Sequence, residues 1–442
     1  MKRLKWILLF IMIAMSAVLF FNFEKLDIVS GYSAKSMSSS VFVAQRSMQF
    51  TDDNDNSFSP INIADDLVNM KEKRASASVF GLNTRTAIYR KGLGCVLVPH
   101  DYKGEVKRLS PKRNFNLINL PYPYGHLPAK DTLFTHLDYN KLSQVIKNYS
   151  EDNLKTRALL ILHKDHIIAE YYADGFHKDS RILGWSMTKS ITSTLFGILQ
   201  TRDQININQN APVKNWANDD RKSITINNLL QMNSGLEWEE NYETISDVTK
   251  MLFQDANMTL AQADAPLIGK PNESWYYSSG TTNLLSGILR QYFDTYQEYL
   301  DFWYAELIDK IGMHSMLIET DITGNYVGSS YGWASPRDWA KFGLLYLHQG
   351  NWNGTQVFDK TWYDYAISPT NSSNGRYGAQ IWLNAGGFLP DVPRDVFSFN
   401  GYQGQRVYIC PSQDLVIVRM GLESADFNTL LKDVITAIDS KD

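Results

Sequence analysis

Apolar and polar positions divide the chain into three stretches. In the first, Lys2, Arg3 and Lys5 precede an apolar run from Trp6 to Phe21. Basic residues followed by such a run mark a secretory signal or a membrane anchor. The run's sixteen residues fall slightly short of the about 20 that a helical span takes. The basic flank stays cytoplasmic, so the segment is expected against the inner membrane. The body is then exported, either periplasmic or membrane-anchored facing the periplasm. An uncleaved anchor is preferred to a signal cleaved after Ala14 and Ser16. No cysteine follows the run, which excludes a lipoprotein anchor. In the second stretch, residues 27–75, no apolar period is sustained. Ser36–Ser40 is serine-rich and Asp52–Asn56 is polar and acidic, so this stretch reads as a flexible linker.

From residue 76 the pattern is that of a folded body. Ala158–Leu162 is apolar, Lys164-Asp165 breaks it and Ile167–Tyr172 resumes it, which predicts a β-hairpin. Arg406–Cys410 and Leu415–Met420 predict a second strand pair around Pro411-Ser412, with a helix from about Ala425 to Ile438. Between them the chain reads as mostly helical. Leu284, Leu285, Ile288, Leu289 and Tyr292 share one helical face. The expectation is a mixed α/β (α+β) domain over 76–442. Its antiparallel sheet is built from both ends and flanked by helices, with a mostly helical subdomain inserted at about 200–330. The amino-terminal segment is assigned 1–26.

Composition narrows the function. The chain has 442 residues, 44% of them apolar and 20% charged, with a net charge of −4. Disorder throughout is excluded. The lack of basic excess argues against a nucleic-acid partner. Two cysteines, Cys95 and Cys410, exclude a disulfide scaffold and a four-cysteine zinc site. They are read as two buried thiols, although export leaves a disulfide open. His163 and His166 flank the predicted hairpin turn and are read as surface residues. No metal or cofactor is implied.

One short pattern carries chemistry. Ser186-Met187-Thr188-Lys189 is the sole S-x-x-K in the chain. Ile191, Leu195, Ile198 and Leu199 follow at helical spacing, so a helix starts at or just before Ser186. Positions i and i+3 share a helix face, which points Ser186 and Lys189 the same way. The helix N-terminus favours developing negative charge. A serine hydroxyl needs a base, and lysine serves once burial lowers its affinity for protons. A capping serine beside a solvated lysine is the competing reading. Two further elements shift that balance. Trp275–Gly280 precedes the helix of Leu284, and a tyrosine at such an entry turn can relay a proton. Asn400–Gln405 leads into the strand 406–410. There a glycine-rich turn lets a backbone N–H face a substrate as half of an oxyanion hole.

In this order and spacing, these elements resemble the serine β-lactamase and penicillin-binding-protein superfamily. Within it, the likeness is to the class C-related branch of esterases, D-amino peptidases and 6-aminohexanoate-dimer hydrolases. The resemblance rests on Gly184–Ser190, Leu229–Leu236, Tyr277–Gly280 and Gly401–Gln405, supported by Ser335–Gly343 and Asp414–Arg419. It implies a β-lactamase/transpeptidase-like fold and acyl transfer without a cofactor. Ser186 would be the acylated nucleophile, Lys189 its general base and Tyr277 the proton shuttle. The backbone N–H groups of Ser186 and Gln405 would form the oxyanion hole. Tyr242, Ser279, Tyr402 and Gly404 would line the substrate site. Ser279 stands where the family usually has asparagine, and Tyr402 where it usually has lysine or histidine. The first lowers the odds of β-lactam hydrolysis and favours the dimer-hydrolase-like members, and the second favours a small-molecule amide or ester lacking a carboxylate at that spot. The alternatives are a peptidoglycan DD-peptidase or β-lactamase, and a non-catalytic exported binding protein on the same fold. Oligomeric state is left open.

Overall fold

The computed structural model describes residues 2–438. The chain forms two compact units. One holds the residues up to Lys107 with Glu239–Asn257 and Asp321–Gly324; the other holds Arg108–Trp238, Met258–Thr320 and the chain from Asn325 onward.

The first unit is built on one helix, α1 (Lys2–Phe42). It packs against a four-stranded antiparallel sheet of β1 (Ala64–Asn69), β2 (Arg74–Val79), β3 (Leu82–Arg90) and β4 (Gly94–Val98), in that order. This corrects the linker expected over 27–75. Val29, Ser33, Met37 and Ser40 recur every three or four residues and are all buried. The serines hid that period from a hydrophobicity reading. Their small side chains suit close packing on a sheet whose buried face carries Ala75, Ala77 and Ala87. A Cβ on Gly31 would lie 3.2 Å from Leu97. The polar cluster near 52–56 is likewise spent on internal pairing. Arg46 bonds Asp55 at 3.0 Å, and Asn56 donates to the Ser33 hydroxyl at 3.0 Å. Asp27, on α1, forms a buried ion pair with Arg85 at 2.6 Å. Residues 76–107, expected in the catalytic body, also belong to this unit. Among the described residues no helix is long and apolar enough to cross a membrane.

The second unit has the expected mixed architecture. It contains α2 (Tyr139–Tyr149), β5 (Thr156–His163), β6 (His166–Tyr172), α3 (Thr188–Thr201), α4 (Ser279–Arg290) and α5 (Pro336–Leu347). After them come β7 (Trp382–Leu383), β8 (Phe397–Gly401), β9 (Gln405–Cys410), β10 (Leu415–Gly421) and α6 (Phe427–Ile438). The six strands form one antiparallel sheet in the order β7-β8-β9-β10-β5-β6. The sheet is therefore closed by strands from both ends of the unit, and β5 beside β10 is buried along its whole length. That position explains its unbroken apolar run. Leu142 and Val145 of α2 and Leu430, Leu431 and Val434 of α6 share a buried cluster with Leu159, Ile161 and Ile417. α5 lies against Val407 and Val416, which a Cβ on Gly343 would approach to 2.9 and 2.8 Å. In the inserted region α4 is the long helix, and the other helices are short pieces such as Ile226–Leu230 and Tyr296–Trp303. Its segment 239–257 belongs to the first unit.

His163 departs from expectation. It is buried at the end of β5, with Nδ1 3.0 Å from the Gln413 carbonyl and Nε2 3.2 Å from His136 Nε2. Burial lowers its proton affinity. Cys95 and Cys410 are buried thiols, one in each unit.

Candidate active site

Ser186 stands on a strained turn at the entrance to α3. The short strand Ile182–Leu183 pairs with Gly332–Ala334, and the Gly184 amide continues that pairing to the Gly332 carbonyl at 2.8 Å. The chain then reverses through Trp185, whose φ of +48° is costly for a bulky side chain. The turn is held from behind. Thr188 Oγ1 donates to the Trp185 carbonyl at 2.7 Å and accepts from the Gly332 amide at 3.0 Å. Gly184 has no room for a side chain, because a Cβ would lie 2.3 Å from the Trp339 ring. Ser186 is left half-buried in a 3₁₀ turn (Trp185–Met187) that runs into α3. Amides of such a first turn lack intrahelical acceptors and can face a ligand.

One turn on, Lys189 is 1% exposed. Its Nζ donates to Ser186 Oγ at 2.8 Å, to Ser279 Oγ at 2.9 Å and to the Ser329 carbonyl at 3.0 Å. None of these three oxygens carries a formal charge, and their number matches the three donors of an ammonium. The acceptors are themselves fixed. Ser279 opens α4, capped by Ser278, whose hydroxyl accepts from the Thr281 amide. The Ser329 amide is bound by Asn283 Oδ1 at 3.1 Å. The structure thus gathers Ser186, Lys189 and Ser279 as the sequence implied.

Tyr277 is also there. Its ring lies under Lys189 Nζ, 4.9 Å from the ring centre. The same ring packs on Trp382 at 5.2 Å and on Tyr377 at 5.9 Å. Tyr277 therefore reaches the site from the turn before α4 and is clamped by aromatics from the β7 region.

The glycine-rich turn between β8 and β9 lies against the nucleophile turn. Gly401, the last residue of β8, makes the close approach to the nucleophile turn: a Cβ there would sit 2.1 Å from the Gly184 carbonyl. Next in chain, Tyr402 packs edge-on against Trp185 with ring centres 5.5 Å apart. Gly404 and the Gln405 side chain also reach to the end of β10. The Gln405 side chain spans to Gly421, donating to its carbonyl at 2.5 Å and accepting from its amide at 3.1 Å. Gly404, at φ +77°, is hemmed in by the Glu423 carbonyl and by Arg419, where a Cβ would lie 2.5 and 2.6 Å away. Arg419 is fully buried, and burial pulls its pKa down to about 10, so it stays charged at neutral pH. β8 and β9 thus both lie against the Trp185–Met187 turn, and the Gly404 backbone and the Gln405 side chain also tie the loop to the end of β10. The turn passes through Gln403 at φ +59°, a reversal that sequence spacing does not reveal. Tyr242 lies in segment 239–257, which belongs to the first unit.

Four contributors were missed. Asn283 had a signal, since it follows Ser279 by one turn on the same helix face. The Ser329 carbonyl had none, because a backbone acceptor leaves no trace in residue type. Tyr377 and Trp382 look like ordinary core aromatics in the sequence. A G-x-S-x-G string does occur at Gly328–Gly332. Its Ser330 is fully buried and bonded to the Ser329 hydroxyl at 2.8 Å, which removes it as a nucleophile.

Comparison with known proteins agrees with this fold. The family model described as Beta-lactamase matches residues 142–421. A 6-aminohexanoate-dimer hydrolase of Paenarthrobacter ureafaciens is 24% identical over 296 residues, 60% of this chain and 72% of the relative. Among solved structures, a family VIII carboxylesterase superposes with a TM-score of 0.55 at 14% identity, covering 70% of this chain and 100% of its own. A penicillin-binding-protein homologue from Caulobacter crescentus gives 0.53 at 12% identity, covering 70% and 100%. At these identities the solved structures speak for the fold.

Proposed function

The chain belongs to the beta-lactamase family of hydrolases, and from that premise we propose that it cleaves an amide or ester through an acyl-enzyme on Ser186. The observation that carries this reading is the 2.8 Å contact between Lys189 Nζ and Ser186 Oγ in a site where the lysine is buried. When Lys189 is neutral, two N–H groups remain for Ser279 Oγ and the Ser329 carbonyl. Its lone pair then meets the Ser186 hydroxyl, which is the arrangement of a general base. Ser186 Oγ attacks the substrate carbonyl carbon as its proton passes to Lys189. The tetrahedral oxyanion is met by the Ser186 amide at the helix entrance. The second donor comes from the 401–405 turn, where the Gln405 amide at the start of β9 is assigned to it. Collapse expels the alcohol or amine, protonated through Lys189 and the Tyr277 hydroxyl. Water, activated in the same way, releases the acid and restores Ser186. Atoms balance without metal or cofactor.

The substrate class is a small amide or ester. Tyr402 brings an aromatic ring where a fixed cation would attract a carboxylate, and Ser279 replaces the amide that a β-lactam site uses. Both features weigh against penicillin-type substrates. The body is assigned outside the inner membrane, with the apolar amino-terminal segment entering it. Pre-steady-state hydrolysis of a p-nitrophenyl ester is expected to release a burst of leaving group stoichiometric with enzyme. Ser186→Ala is expected to lose both the burst and turnover, by about 10⁴-fold or more. Turnover that survives this substitution would overturn the assignment.

A further inference from the structure

The apolar run and the first unit are joined by continuous helix rather than by a tether. α1 is unbroken from Lys2 to Phe42, and its side chains are buried in the unit from about Asp27 onward. At 1.5 Å per residue the run Trp6–Phe21 is about 24 Å long, against about 30 Å of bilayer hydrocarbon. The helix carries the apolar run into the unit without a break, so the residues around its point of entry lie next to the bilayer that the run enters.

That surroundings are apolar. Phe23 is 54% exposed. The hairpin tip joining β2 and β3 lies beside it, with Asn83 Nδ2 donating to the Phe23 carbonyl at 3.5 Å. The tip presents Phe80, 74% exposed, and Leu82, 42% exposed. Phe80 and Gly81 both have positive φ, +54° and +69°. A large aromatic is thus held in an unfavourable conformation with its ring in solvent, an arrangement that demands a covering surface. Two of the charges that follow are paired, Glu24 with Lys250 at 3.2 Å and Asp27 with Arg85 at 2.6 Å, and the exposed Lys25 can extend to lipid headgroups.

We propose that Phe23, Phe80 and Leu82 form a wedge that docks into the headgroup–acyl boundary of the bilayer entered by α1. The wedge supplies apolar depth that the short run lacks. This inference rests on the reading of the amino-terminal segment as a membrane anchor. A bilayer is favoured over a second copy of the chain because the apolar helix emerges within one turn of Phe23.

The test uses the full chain in vesicles of phosphatidylethanolamine and phosphatidylglycerol, with single cysteines Met12→Cys, Phe80→Cys or Asn353→Cys. Each carries an environment-sensitive fluorophore, and Cys95 and Cys410 are protected by burial. Residue 80 faces solvent, so substitution there spares the core. The label at 12 is expected to be quenched by lipids with deep nitroxides. The label at 80 should be quenched by shallow ones, losing more than half its emission with a blue shift. The label at 353 should respond to neither. Quenching at 12 without quenching at 80 would overturn the wedge while leaving the anchor intact. No quenching at 12 would overturn the anchor and the wedge together. Self-quenching at 80 that ignores nitroxide lipid would replace the bilayer with a second copy.

Discussion

Lys189→Met is expected to lower kcat/KM by about 10³–10⁴-fold while leaving the fold intact. Methionine keeps the length and apolar stem of lysine, so the substitution removes donors and base without opening a large cavity. Two consequences separate a base from a structural cation. First, Ser186 keeps its position and loses its reactivity. Hydroxylamine or another strong external nucleophile would then not restore turnover, because acylation is the step that fails. Second, stability should hold or rise. Lys189 is buried among Ser186 Oγ, Ser279 Oγ and the Ser329 carbonyl, and a charge held by neutral oxygens is expensive. The check is steady-state kinetics beside a thermal melt of parent and variant. Activity within tenfold of the parent would remove Lys189 from the mechanism. A large drop in Tm with proportional loss of activity would make it a structural residue.

Tyr277→Phe is expected to reduce kcat by about 10²–10³-fold on amides with KM nearly unchanged. The ring stays packed on Trp382 and Tyr377, so only the hydroxyl is lost. A proton shuttle matters most where the leaving group is poor. An amine must be protonated to depart, whereas p-nitrophenolate leaves unaided. The amide-to-ester ratio should therefore fall sharply in the variant. An equal loss on both substrates would assign the hydroxyl to positioning Lys189, and no loss on either would dismiss it.

The nucleophile helix was legible because its apolar period begins right after Ser186-Met187-Thr188-Lys189. The sheet strands were legible because β5, β9 and β10 are buried enough to carry nearly unbroken apolar runs. The amino-terminal unit was not. There the helix packs through serines against alanines, and small polar residues in a close interface look like a linker. His163 misled for a related reason. It sits beside a hairpin turn and its neighbour His166 is only half-buried, but its partners, His136 and the Gln413 carbonyl, come from distant segments. The 401–405 turn was recognised by its glycines, but the close approach of Gly401 to the Gly184 carbonyl and the left-handed Gln403 come from the fold, and position in the string cannot give them. Charge and spacing named the reacting atoms, whereas long-range backbone placement decided their supporting cast.

The most direct measurement is the intact mass of the full-length protein in detergent after treatment with a fluorophosphonate, beside Ser186→Ala and Lys189→Met. The full chain is required, because residues 27–75 are built into the first unit. A single phosphonyl adduct on the parent, with no adduct on either variant over the same time, is the predicted result. An adduct that persists on Ser186→Ala, or a correctly folded parent that takes up none, would contradict an activated Ser186 and with it the hydrolase mechanism.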